Sequence, residues 1–89
     1  MNLEVRYVQW IDSMGAHGWE LLEEIKTNRP LLIHTVGFVI DEGEDYVTIL
    51  QSYDERASGR PHGDHAISIP KSTIRSQRRL DEVPSEPEE

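Results

Sequence analysis

The alternation of apolar and polar positions predicts a chain made mostly of short strands. Residues 4–11 mix Val5, Tyr7, Trp10 and Ile11 with Glu4, Arg6 and Gln9, which suits a first strand rich in β-branched and aromatic side chains. Residues 12–18 hold Gly15 and Gly18 and read as a loop. Over residues 19–27 the period changes. Leu21, Leu22 and Ile25 fall on one helical face with Trp19 at its border, and Glu20, Glu23 and Glu24 fall opposite, so a short helix is expected, ended by Asn28, Arg29 and Pro30. Residues 31–40 form the strongest strand, and Gly37 in its middle predicts a bend or bulge. The acidic stretch 41–45, centred on Gly43, reads as a hairpin turn leading into a strand from Tyr46 to Tyr53. A polar loop over 54–65, a strand over 66–69 stopped by Pro70, a single helical turn through Ile74 and a last strand over 75–80 complete the pattern. The fold class expected is mainly β: a small, strongly bent antiparallel five-stranded barrel with one short helix.

Charge divides the chain. The net charge is −8, yet residues 71–80 hold Lys71, Arg75, Arg78 and Arg79 and no acid. Residues 81–89 combine five acids with two prolines, so 1–80 is expected to be one domain and 81–89 a disordered acidic tail. An acidic body repels polyphosphate, which makes duplex DNA an unsuitable partner and the basic decade the natural place for a phosphate. The chain has no cysteine, which removes a disulfide frame, a thiol nucleophile and cysteine-ligated metals. It also lacks an apolar run of membrane-spanning length, so no membrane role and a cytoplasmic location are expected. About 80 residues make a marginal domain, which favours a homo-oligomer.

Two resemblances sharpen the picture. A strand, Ile69-Pro70, one turn through Ile74 and a last strand resemble the ending of SH3-like and Sm-like barrels, over residues 31–80. Trp10, Asp12 and Ser13, then Gly18-Trp19, Thr35-Val36-Gly37, Gln51-Ser52 and Ile67-x-Ile69-Pro70-x-x-x-Ile74 resemble, in order and spacing, small proteins of phages and prophages. That resemblance implies a phage-like origin, hence the host cytoplasm, and a non-catalytic small barrel. It transfers no active site.

Reactive constellations are sparse. His62, Asp64 and His65 put two imidazoles and a carboxylate within four residues, too few ligands for a metal site without a distant histidine. Ser68-x-x-Lys71 has the letters of an acyl-enzyme motif, but Pro70 and an apolar strand spoil its geometry. Asp12, Ser13 and His17 read as a turn, and the acids at 41–45 as a solvated hairpin tip. No catalytic residue, metal or cofactor is assigned. The expected function is a binding protein of phage type, an accessory or counter-defence factor that sequesters a small nucleotide signal or blocks a host protein. Its expected contacts are the surface aromatics Trp19 and Tyr53, the loop residues Arg60, His62 and His65, and the basic Lys71, Arg75 and Arg78. The alternatives are an Sm-like oligomeric RNA binder and an acidic nucleic-acid mimic.

Overall fold

Five antiparallel strands form one sheet, in the order β4-β3-β2-β1-β5. The strands are β1 (Leu3–Asp12), β2 (Leu31–Glu42), β3 (Tyr46–Asp54), β4 (His62–Pro70) and β5 (Ile74–Val83), with one short helix, α1 (Leu22–Ile25), between β1 and β2. The computed structural model describes residues 2–13, 15, 18–55 and 59–83, and the side chains of all of these except 82 and 83. β4 and β5 are the two edges and do not pair with each other, so the sheet is open, and the expected barrel does not close. A single 3₁₀ turn, Lys71–Thr73, carries the chain from one edge to the other.

The core lies on one face. Val8 and Trp10 from β1, Val47 and Ile49 from β3 and Ile69 from β4 are buried together, with Ile33, Val39 and Ile74 packed against them. Register explains the set. Trp10 pairs with Ile33 and Ile74, Val39 with Ile49, and Val47 with Ile69, so directly opposed residues share a face across all five strands. The Trp10 indole N–H donates to Thr35 Oγ1 at 3.0 Å, which satisfies its one polar atom inside the core. Opposite this face, Phe38 meets Tyr53 edge-on with ring centroids 5.0 Å apart.

Gly37 plays a different part from the bulge expected of it. The β2–β3 irregularity falls between Val39 and Asp41, at Ile40. Gly37 is instead a point of close approach: a Cβ there would stand 2.4 Å from Ile49 Cγ2 and 2.5 Å from the Leu50 carbonyl oxygen. Only a residue without a side chain lets β3 pass this near. β2–β3 pairing starts at Phe38–Leu50 and continues toward the hairpin turn, while residues 31–37 pair with β1 alone.

Several boundaries differ from the sequence reading. The helix shrinks from residues 19–27 to the four residues of α1, which has no side-chain cap and buries nothing. An uncapped helix of two turns with no surface to pack on lacks what would stabilise it. β2 runs two residues into the acidic stretch, because Asp41 and Glu42 pair with Thr48 and Val47. β4 starts at His62, four residues early, and β5 extends through 81–83, where it pairs with Leu3–Val5. The rest of the expected tail, 84–89, lies outside the described residues, as does His17 of the Asp12-Ser13-His17 grouping. Asp12 Oδ1 accepts from the Ser13 amide at 2.8 Å, the turn contact its residue type favours.

Candidate functional site

Because β2 leaves β3 at Gly37, the two halves of the sheet part and open a cleft. It has a volume of about 300 Å³ and is lined by His34, Thr35 and Val36 of β2, Ile49, Leu50 and Gln51 of β3, and His65 and Ile67 of β4. Isoleucine and leucine side chains give it an apolar wall; imidazole, hydroxyl and amide groups supply hydrogen-bonding capacity. His34 is held in place: its Nδ1 shares a hydrogen bond of 2.8 Å with the Tyr7 hydroxyl, and the two rings stack with centroids 5.9 Å apart. Thr35 is fixed by the indole of Trp10.

His65 carries the most unusual backbone in the site. Its φ is 53°, the left-handed region that side chains disfavour. The β3–β4 ladder accordingly skips the position, passing from Leu50–Ala66 to Ser52–Asp64. The imidazole Nδ1 lies 2.9 Å from an Asp64 carboxylate oxygen, and both side chains are largely exposed. Backbone strain of this kind costs about 1–2 kcal/mol and gathers at functional sites.

A second cleft, of about 390 Å³, opens at the other end of the sheet and is lined by Glu4, Arg6, Glu42, Gln77, Arg78 and Arg79. Its centre is occupied. The Arg6 Nε and Nη2 donate to Glu4 at 2.6 and 3.0 Å, Nη2 and Nη1 donate to Glu42 at 3.0 and 3.1 Å, and Nη1 also donates to Gln77 at 2.9 Å. All five guanidinium N–H groups are thereby engaged. Lys71 Nζ adds an ion pair of 2.9 Å to Glu42. The hydrogen bonds from Arg6 and then Lys71 hold the Glu42 carboxyl down to about 2, and Arg6 likewise lowers Glu4. Arg6 itself is raised above its ordinary value by Glu4 and Glu42. The network ties β1, β2, β5 and the 3₁₀ turn together and is built to hold the fold.

The expected site residues are scattered. His65 lies in the first cleft and Arg78 on the rim of the second. Lys71 belongs to the Arg6–Glu42 network. Tyr53 packs on Phe38. Arg60 is exposed, with its carbonyl 2.8 Å from His62 Nδ1 at the start of β4. Trp19 is 104% exposed, ahead of α1, and Arg75 is exposed on β5. The hydroxyl of Ser68 bonds Thr48 at 2.7 Å while Lys71 turns to Glu42, so the Ser-x-x-Lys letters are split between two separate contacts. Among the described residues no three of His, Asp and Glu gather as metal ligands.

No family model, curated protein or solved structure matches the chain.

The sequence reading missed His34, Thr35 and Gln51. The only available signal was the pair of polar positions flanking Val36-Gly37 and the Gln51-Ser52 step. Nothing along the chain showed that Gly37 marks where β2 and β3 separate. Among the described residues, no helix is long and apolar enough to cross a membrane.

Proposed function

We propose that the chain is a non-catalytic binding protein that sequesters a small nucleotide-type ligand, in the manner expected of a phage accessory or counter-defence factor. The observation that carries this reading is the cleft at Gly37. Its volume of about 300 Å³ suits a single planar ring system. Val36 and Ile67, both exposed, offer the ring an apolar surface, and His34, Gln51 and His65 offer hydrogen-bond partners for its edge. The strained backbone of His65 supports the assignment, since a strand residue gains nothing structural from a left-handed conformation. The test is a thermal-shift panel of cyclic and linear nucleotides. The proposal predicts a raised melting temperature with at least one member, lost in Gln51→Ala and His34→Ala. Melting temperatures unmoved across the panel refute it.

A second reading is an Sm-like oligomeric RNA binder. It draws on the strand order β4-β3-β2-β1-β5 and on the 3₁₀ turn between β4 and β5, which also support an SH3-like or Sm-like relationship for this open, bent sheet. Two free edges can pair between copies. Salt-dependent retention of short single-stranded RNA by an oligomeric form separates this reading from nucleotide sequestration. The acidic-mimic reading is weakened by Arg75 and Arg78, which stand exposed on β5 and break the negative surface.

A further inference from the structure

The segment joining β1 to β2 displays apolar side chains that nothing in the described chain covers. Trp19 is 104% exposed, Leu21 68%, Leu22 72%, Leu31 43% and Leu32 50%. Trp19, Leu21, Leu22 and Ile25 fall within residues 19–25, and the adjacent Leu31 and Leu32 take opposite faces of β2. Large apolar side chains gathered on one exposed segment mark a protein–protein contact. β5 pairs with β1 as far as Trp10, and beyond it Ile11–Leu32 and Asp12–Leu31 run on as a two-stranded end with no third strand alongside, which is marginal in water without a surface to pack on.

We infer that this segment docks on a second copy of the chain, on the sheet face opposite the core. Two features of that face fit it. First, Val36, Tyr7 and Arg78 stand in one cross-strand row of β2, β1 and β5, on alternate positions to the buried Val8 and its partner Thr35. Val36 is 58% exposed, so the row offers an apolar position beside a cation. Second, the charges match. Glu20, Glu23 and Glu24 share the donor segment with the exposed apolar residues, and all three are exposed. Arg78 is exposed, and its side chain makes no hydrogen bond or ion pair among the described residues. A segment that carries both apolar and acidic residues thus meets a row that carries an exposed valine and a base, and the same pairing recurs by two-fold symmetry in the reverse direction. This contact borders the ligand cleft, since Val36 lines both, and it uses neither free sheet edge.

Sedimentation velocity and tryptophan emission across a wide dilution series of the full chain test it together. The chain has two tryptophans, and Trp10 is buried whether or not copies associate, so a change in emission on dilution reports Trp19. The expected result is a dimer at high concentration whose emission moves to longer wavelength as it dissociates. The double variant Trp19→Glu, Leu22→Glu is expected to weaken association at least about tenfold. Both side chains are exposed, and far-UV circular dichroism checks that the variant keeps its sheet. A monomer at all concentrations overturns the inference. So does a dimer with unchanged tryptophan emission, or one that survives the double variant, either of which places the contact elsewhere, such as a sheet edge.

Discussion

Replacing Gly37 with alanine is the sharpest structural test, because the obstruction is backbone as well as side chain. The new Cβ would stand 2.4 Å from Ile49 Cγ2 and 2.5 Å from the carbonyl oxygen of Leu50. Carbon atoms pack at about 3.5–4.0 Å, so β2 and β3 would have to separate by about 1 Å. Leu50 is held by its pairing with both Phe38 and Ala66, and Ile49 is part of the core, so neither can retreat cheaply. Overpacking costs about 1–3 kcal/mol, and an immovable carbonyl places this case at the top of that range. A domain of this size holds only about 4–12 kcal/mol in total. A loss of about 3 kcal/mol lowers the melting temperature by about 15 °C. Gly63→Ala is the matched control. Its Cβ would meet only the methyl groups of Leu50, at 2.8 and 2.9 Å, and a rotamer change relieves that contact for about 1 kcal/mol. Urea denaturation followed by far-UV circular dichroism measures both. If Gly37→Ala is no worse than Gly63→Ala, the close approach of β3 to β2 is wrong, and with it the origin of the cleft.

Three further outcomes are expected. Ile69 is fully buried between β3 and the 3₁₀ turn, so Ile69→Ala lowers the urea-derived stability by about 2–5 kcal/mol. Glu42 has its folded pKa held down to about 2 by Arg6 and Lys71, below its unfolded value of about 4.3, so its contribution is present above pH 4.3 and is lost as pH falls through 2. Because a third of its side chain is exposed, screening reduces that contribution to about 1 kcal/mol, and the stability gap between wild type and Glu42→Gln should close between pH 5 and pH 2 in urea titrations. His65→Gly removes the left-handed strain and is expected to raise stability by about 1 kcal/mol while weakening nucleotide binding; a variant both less stable and equally competent for ligand contradicts the role given to His65.

The strands were legible because alternation is a local signal. Alternation alone puts Val47 and Ile49 on one face of β3, but only the pairing with β2 and β4 shows that this face is the core. The short helix was also legible, but its length was misjudged: Leu21, Leu22 and Ile25 have helical spacing, and spacing does not reveal whether a surface exists to receive them. Arg6 gave no hint of its importance, since its partners Glu4, Glu42 and Gln77 meet only after β2 and β5 pair on either side of β1. The cleft was hidden for a similar reason. Gly37 was visible as a special position, but the Leu50 carbonyl that makes it special is thirteen residues away. Of the residues favoured as contacts, His65 lies in that cleft, whereas Lys71 is committed to Glu42.

The proposal rests on occupancy of the cleft between β2 and β3. Isothermal titration of the wild-type chain and of Gln51→Ala with the nucleotide giving the largest thermal shift measures that occupancy directly. The account predicts saturable binding to the wild type, with affinity reduced about tenfold or more in the variant. Equal affinity in both proteins, or no heat from any nucleotide tried, contradicts it.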